Sequence, residues 1–157
     1  RTAERFRPLP AGVPDGIRAT GLPLPEIAVF SGDTVKTDSE GYLYFVGRRD
    51  EMIKTSGYRV SPTEIEEASY ATGLVQECCA FGIPHDTMGE AIVLVVSEFQ
   101  PGVSADALAG RLKYSTPAYM LPTEILVLGA ALPRNPNGKI DRRAIRALVT
   151  AEREGTA

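Results

Sequence analysis

Residues 75–99 read VQECCAFGIPHDTMGEAIVLVVSEF, and this stretch decides the fold. Val75 to Ile83 and Ala91 to Phe99 are short, mainly apolar segments, and the second is rich in β-branched side chains, which is typical of strands in a protein core. The segment PHDTMGE between them has the composition of a turn. The stretch therefore predicts two core strands joined by a turn.

Helices are predicted both before this stretch, starting after residue 61, and after it, toward the C-terminus. A helix begins after Ser61, because Ser61 and Glu64 have the spacing of a capping box and Pro62 takes the first helical position. Val60 and Ile65 can pack together as a hydrophobic staple. The remaining predictions are a helix over Ser104–Tyr114, with Leu108 and Leu112 on one face, a strand over Glu124–Leu128, and a last helix from Asp141 through Leu148. The alternation after about residue 60 predicts an α+β fold of helices on a small sheet.

The upstream third of the chain is less regular. Residues 1–25 are rich in Pro and Gly, and we expect irregular, poorly ordered connection there. Glu26–Phe30 and Gly41–Val46 are β-favouring runs that predict a hairpin, and a further strand is predicted over Met52–Thr55. The charged cluster Gly47–Glu51 is a candidate domain boundary.

Bulk composition excludes several classes of function. The 157 residues carry 17 Lys and Arg against 20 Asp and Glu, a net charge of -3, so there is no broad basic field for nucleic acid or an anionic membrane. No apolar run reaches the length of a membrane helix and no signal peptide is present, and a first residue that is not Met indicates a fragment. Cys78 and Cys79 should point to opposite faces of a strand, so we expect no disulfide between them and a cytoplasmic location.

The candidate functional residues are few, and each can also be explained by a purely structural role. Lys139 follows Gly138 in NPNGKIDR, a tight turn where glycine permits close approach to a ligand, although a turn lysine is more often a surface residue. Asp33 can accept hydrogen bonds from ribose hydroxyls or simply close an Asx-turn. His85 has no Ser or Cys partner at a catalytic spacing, which favours a structural role in its turn. No metal-binding cluster is recognisable, and a set of basic and glycine residues could contact phosphate: Gly47, Arg48, Arg49, Lys54, Gly57 and Arg59.

Four blocks taken together resemble a known family. They are SGD at 31–33, GYLYFVGRRDEMIKTSGYRVSPTEIE at 41–66, GIPHDTMGEA at 82–91 and LPRNPNGKIDR at 132–142. In this order they resemble the adenylate-forming superfamily of acyl-CoA synthetases, peptide-synthetase adenylation domains and luciferases, over roughly residues 26 to 148. The Pro-rich lead-in is longer than expected of that superfamily and resembles the exosortase-associated acyl-CoA ligases of bacteria.

The resemblance implies a domain organisation and a reaction. Residues 1–49 would be the tail of a large N-terminal adenylation domain, and residues 50–157 a small C-terminal domain that swings over it. The complete enzyme would use ATP and Mg²⁺ to activate a carboxylic acid as an acyl-adenylate, then pass the acyl group to CoA. No phosphate loop and no glutamate-bearing motif for Mg²⁺ occur in these residues, so the fragment alone is expected to be inactive.

The resemblance also assigns roles by position. Lys139 corresponds to the lysine that serves adenylation only, and Asp33 and Arg48 to residues that hold the nucleotide. Asp50 falls at the hinge between the two orientations. The thioesterification candidates are Lys54, Gly57 and Arg59, with Gly57 leaving room for the pantetheine arm of CoA. Two alternatives stay open, namely an adenylation domain that loads a carrier-protein thiol and a non-catalytic interaction module.

Overall fold

The computed structural model describes residues 6–8, 27–48 and 51–155. The chain divides into two compact units, Arg1–Asp50 and Glu51–Ala157. The division falls one residue after the boundary that the sequence predicts between residues 49 and 50. Each unit is described below by itself.

The first unit contains two pairs of antiparallel strands, and it corrects the predicted hairpin. Ile27–Val29 (β2) pairs with Phe6–Pro8 (β1). The strand β1 lies inside residues 1–25, which were expected to be irregular. Leu43–Arg48 (β4) pairs with Asp33–Thr37 (β3), which was predicted to be a polar connection. The prediction was wrong because every residue of β3 is exposed, so its side chains give no apolar alternation to read.

The second unit is a mixed sheet with three helices. Its strands are Ile53–Thr55 (β5), Tyr58–Val60 (β6), Cys78–His85 (β7), Gly89–Val96 (β8) and Glu124–Val127 (β9). Its helices are Pro62–Ala71 (α1), Ala105–Ser115 (α2) and Arg142–Gly155 (α3), with a 3₁₀ turn at Ala118–Met120. The predicted α+β class and the two core strands are confirmed, while α3 continues well past its predicted end at Leu148.

The strand β8 organises the sheet, because three other strands pair with it. It runs antiparallel to β7 along its whole length, parallel to β9 over Val93–Val96, and antiparallel to β5 at Gly89. The hairpin β5–β6 completes the strand order at that edge.

Successive residues of β8 supply two separate apolar clusters on the two faces of the sheet. Ile92, Leu94 and Val96 pack with α1 and α2, whereas Val93 and Val95 pack with α3. The same alternation places the adjacent cysteines in different clusters, as predicted, and both thiols are free: Cys78 and Cys79. Burial on both faces explains why the sequence of β8 is an unbroken apolar run from Ala91 to Val96.

The three helices begin where the sequence predicts, although only two use a side-chain cap. The Ser104 hydroxyl accepts the N–H of Ala107 at 3.2 Å, and the Asp141 carboxylate accepts the N–H of Ala144 at 3.1 Å. Within the described residues, the Ser61 side chain does not cap α1, so the capping-box prediction was wrong. Proline in the first turn already removes one backbone donor, which lowers the need for a cap.

The double-sided core gives a stability prediction. Leu94 is 0% exposed in the cluster that α1 and α2 cover, so Leu94→Ala should lower the free energy of unfolding by about 2–5 kcal/mol in urea titration. Leu148→Ala is the matched control, because that side chain is 48% exposed and its loss should cost no more than about 0.5 kcal/mol. Equal losses for the two variants would contradict this account of the core.

Candidate functional site

In the first unit, the two predicted nucleotide-binding residues lie opposite each other. Asp33 and Arg48 are cross-strand partners in the β3–β4 hairpin, with Asp33 Oδ1 3.6 Å from Arg48 Nε. Arg48 Nη2 also donates to the Ser31 carbonyl at 3.1 Å, and the Ser31 hydroxyl accepts the N–H of Asp33 at 3.2 Å. The hydroxyl of Ser31 therefore closes the local turn, and the Asp33 carboxylate faces a cation. Both side chains remain about one third exposed, at 37% for Asp33 and 35% for Arg48, so a ligand can still reach them.

In the second unit, Lys139 lies on a turn that its own backbone and one asparagine hold rigid. The Asn135 side-chain oxygen accepts the N–H groups of Asn137 at 2.9 Å and Lys139 at 3.1 Å. The Asn135 N–H donates to the Lys139 carbonyl at 2.8 Å, and the Gly138 N–H donates to the Asn135 carbonyl at 2.9 Å. Gly138 has a φ of 77°, which glycine adopts without strain. We call residues 134–141 the lysine turn.

A charged pair joins the lysine turn to the sheet. Arg134 donates to the Gly138 carbonyl at 2.6 Å and forms an ion pair with Glu77, which immediately precedes β7. The other Glu77 oxygen accepts the N–H of Leu132 at 3.3 Å, and Leu132 is itself buried. The side chain of Lys139 is exposed and makes no ion pair with any described residue. An exposed, charged side chain thus starts from a backbone that hydrogen bonds hold in place.

The predicted thioesterification residues are brought together by the β5–β6 hairpin. Lys54 and Arg59 are direct cross-strand partners and both are exposed, whereas Ile53 and Val60 on the other face are buried. Like charges that lie directly opposite each other on a sheet repel one another. The pair is therefore a local electrostatic cost that a bound anion would offset.

The turn between β5 and β6 explains Gly57 through its backbone conformation. Ser56 and Gly57 both have positive φ, 49° and 84°, as in a type I′ hairpin turn that favours glycine. The space where a Gly57 side chain would lie is also open, with no described atom within 4 Å of an added Cβ. Next to this turn, Tyr58 stacks on Tyr119 of the 3₁₀ turn at a ring distance of 4.3 Å. The hairpin end is therefore both sharply bent and supported from one side.

The remaining sequence candidates are less informative. Asp50 and Arg49 lie outside the described residues. His85 is exposed, and its Nδ1 accepts the N–H of Thr87 at 3.3 Å, which agrees with a structural role in the β7–β8 turn. Sequence reasoning assigned no function to Asn135 or Glu77, although the turn composition around Asn135 was a usable signal.

The described residues also limit two other classes of function. They contain no group of three or more His, Cys, Asp or Glu side chains that could hold a metal ion. None of the helices formed by these residues is long and apolar enough to cross a membrane.

Comparisons with known proteins converge on one family description. Residues 64–139 match the model described as the AMP-binding enzyme C-terminal domain. Acetyl-coenzyme A synthetase of Methylobacillus flagellatus is 36% identical over 128 residues, which cover 78% of this chain and 20% of that protein. Phenyloxazoline synthase MbtB of a Mycobacterium species is 36% identical over 122 residues, covering 76% of this chain and 10% of that protein.

A solved structure agrees with the sequence relatives. The chain superposes with a TM-score of 0.68 and 29% identity on o-succinylbenzoate coenzyme A synthetase of Bacillus subtilis in complex with ATP and magnesium ion, covering 75% of this chain and 24% of that one. The chain thus spans no more than about a quarter of each of these proteins.

The buried thiols give a prediction that separates them from reactive cysteines. Burial raises the pKa of both Cys78 and Cys79 to about 12, so neither forms a reactive thiolate near neutral pH. We expect no labelling by iodoacetamide at pH 8 in the native protein and labelling of both in urea.

The same raised pKa values fix the sign of a pH effect. The unfolded chain loses its thiol protons from about pH 9 while the folded chain keeps them to about pH 12, so stability is lost as the pH rises through that interval. Rapid labelling of either thiol in the native state would contradict the burial of this strand.

Proposed function

We propose that this chain, in which residues 64–139 match the AMP-binding enzyme C-terminal domain, is the C-terminal part of an AMP-forming acid–thiol ligase. The complete enzyme activates a carboxylic acid with ATP and transfers the acyl group to CoA. The observation that carries this proposal is the lysine turn, which presents the exposed Lys139 from a backbone held by Asn135 and by the Arg134–Glu77 pair.

The chemistry of adenylation needs a cation of this kind. A carboxylate oxygen bonds to the α-phosphorus of ATP, the bond from that phosphorus to its bridging oxygen breaks, and pyrophosphate leaves with the electron pair. Negative charge concentrates around the α-phosphate as this happens. An ammonium about 4 Å away at an effective dielectric constant near 20 contributes roughly 4 kcal/mol. The part of this energy gained only in the transition state accelerates the step, which is the role we propose for Lys139.

The Asp33–Arg48 pair suits the sugar and phosphate of the same nucleotide. A carboxylate accepts hydrogen bonds from two neighbouring ribose hydroxyls, and a guanidinium donates to phosphate or hydroxyl oxygens. Their cross-strand contact orients both groups before a ligand arrives. We propose that they hold AMP-bearing states in both half-reactions.

The Lys54–Arg59 pair suits the second half-reaction. The thiol sulfur of CoA loses its proton to solvent and bonds to the acyl carbonyl carbon, the bond from that carbon to the adenylate oxygen breaks, and AMP leaves with the electron pair. CoA carries several phosphate charges, and two adjacent exposed cations attract them. The open space at Gly57 beside this pair leaves room for the pantetheine arm.

The proposed domain roles follow the two compact units. Residues 1–49 belong to the tail of a large N-terminal domain that is a partner within the same protein, and residues 50–157 to the domain that swings about Asp50. The exposed apolar side chains of the first unit support this, because a lone hairpin with such a surface is only marginally stable. These side chains are Val35, Tyr42, Leu43, Tyr44 and Phe45, each about half or more exposed.

The acceptor thiol is the point on which the alternatives differ. The similarity to a phenyloxazoline synthase keeps one alternative open, namely that this chain is part of an adenylation domain that loads a carrier-protein thiol. The exposed Lys54–Arg59 pair favours CoA, whose phosphates would meet it directly. A non-catalytic interaction module has no use for both a rigid lysine turn and this cation pair.

Further details of the proposal rest on the family and not on this chain's geometry. Mg²⁺ would accompany the ATP phosphates, and we assign none of its ligands to the described residues. The two free thiols fit a reducing cytoplasm. The exosortase-associated subgroup depends on residues 1–25, most of which lie outside the described part of the chain, and stays a prediction.

Lys139→Ala in the complete protein should abolish adenylation selectively. We expect ATP–pyrophosphate exchange to fall by roughly 100- to 1000-fold, because one preorganised charge at the reacting phosphate is lost. Conversion of a supplied acyl-adenylate to the thioester should continue. The exposed lysine of α2 provides the control, Lys113→Ala, which should change neither step. Equal loss of both half-reactions in Lys139→Ala would refute the assignment.

The double variant Lys54→Gln/Arg59→Gln should show the opposite selectivity. It removes two cations that we place beside the phosphates of CoA, so the KM for CoA should rise roughly tenfold or more and lose much of its dependence on salt. Pyrophosphate exchange should stay near the wild-type rate. Arg111→Gln, a neutralised exposed arginine on α2, is the control. An unchanged KM for CoA would remove this hairpin from the second half-reaction.

A further inference from the structure

Arg142 is the first residue of α3, and its side chain ties together three separate parts of the second unit. Its Nη1 donates to Glu51 at 2.5 Å, and its Nη2 donates to the two Glu66 oxygens at 2.8 and 3.0 Å. Its Nε donates to the Ala80 carbonyl at 2.9 Å. The partners lie at the start of the unit, on α1 and on β7. We call these four residues the Arg142 network.

The Arg142 network is partly buried and geometrically determined. The side chains of Arg142, Glu66 and Glu51 are 24%, 14% and 35% exposed. Burial acts to lower the pKa of Arg142, but the charge of Glu66 and its hydrogen bond raise it above the usual value. Glu66 also accepts the N–H of Ala80 at 2.8 Å, so its carboxylate is fixed from a second side. A planar guanidinium presents five N–H donors from three separate nitrogens in a fixed fork, which suits partners in three directions.

The positions of Glu51 and Arg142 in the fold indicate what the Arg142 network does. Glu51 is the first residue of the second unit and follows the predicted hinge residue Asp50. Arg142 follows Asp141, whose N–H donates to the Pro133 carbonyl at 2.7 Å at the base of the lysine turn. The Glu51–Arg142 contact is thus a direct link between the entry of the unit and the turn that carries Lys139.

We propose that Glu51 and Arg142 are positioning residues that hold the lysine turn at a fixed distance from the entry of the second unit. When the backbone before Glu51 rotates, the Glu51–Arg142 contact makes the lysine turn and Lys139 rotate together with Glu51. This inference rests on the proposed function, since it assumes that Lys139 is delivered by such a rotation.

The link should matter for one half-reaction more than the other. Lys54 and Arg59 lie on the β5–β6 hairpin, which follows Glu51 directly along the chain. Their position relative to the entry is set by a few covalent bonds and the hairpin ladder. Lys139 is far from the entry in sequence and depends on noncovalent contacts, and the Glu51–Arg142 contact reaches the entry itself.

Glu51→Gln in the complete protein tests the proposal. ATP–pyrophosphate exchange should fall roughly tenfold, in the range that positioning residues remote from a reaction produce. Conversion of a supplied acyl-adenylate should stay within about twofold of the wild-type rate. Glu124→Gln is the matched control, since it removes another partly exposed Arg–Glu pair, with Arg153 of the same helix, and should leave both steps within about twofold.

The other outcomes are equally decisive. If Glu51→Gln leaves both steps unchanged, or lowers both equally, the positioning role is overturned. Absence of pyrophosphate exchange in the wild-type protein would instead refute the proposed function. In that case the Glu51–Arg142 contact is tested by a measurement that does not depend on catalysis.

A double-mutant cycle supplies that measurement. Amide hydrogen exchange of β8 reports unfolding of the second unit, and it is compared for Glu51→Gln, Arg142→Lys and the double variant in the complete protein. If the link exists, Glu51→Gln should speed exchange less in the Arg142→Lys background, because that substitution replaces the fork whose separate nitrogens bind Glu51 and Glu66. Strictly additive effects would overturn the proposal.

Discussion

The burial of the strand Gly89–Val96 on both faces is the constraint on which the rest of the structure depends. Its alternate side chains enter two apolar clusters, one under α1 and α2 and one under α3. Three other strands find their register on its backbone. Its buried residues, Ala91–Val96, are all apolar, and they can be covered only if helices pack on both faces of the sheet.

The proposed functional groups lie at the margins of this core, and their rigidity comes from hydrogen bonds. The lysine turn is exposed at residues 136–139, yet Asn135 and Arg134 fix its backbone. The opposite arrangement holds for Cys78 and Cys79, which are nucleophiles by type but are buried at the sheet. Exposure of a charged group on a rigid support, and not chemical type alone, distinguishes the candidate site.

Charged contacts in this unit connect elements that are distant in sequence. Glu77 reaches the lysine turn through Arg134, and Arg142 joins Glu51 to Glu66. Partly buried ion pairs add little net stability, because the loss of hydration offsets most of the attraction. Their geometric effect is greater, since each one fixes the distance between two elements that are far apart in sequence.

The sequence by itself determined the two core strands and the start of each helix. It also determined the four motifs that single out Lys139. Every one of these features depends on residues that are close together in the chain. Only the tertiary structure decided that the polar stretch at Asp33 forms a strand opposite Arg48. It also decided that Arg142 meets Glu51 and Glu66. Pattern reasoning could not find these contacts, because partners far apart in sequence leave no local periodicity and an exposed strand buries no apolar face.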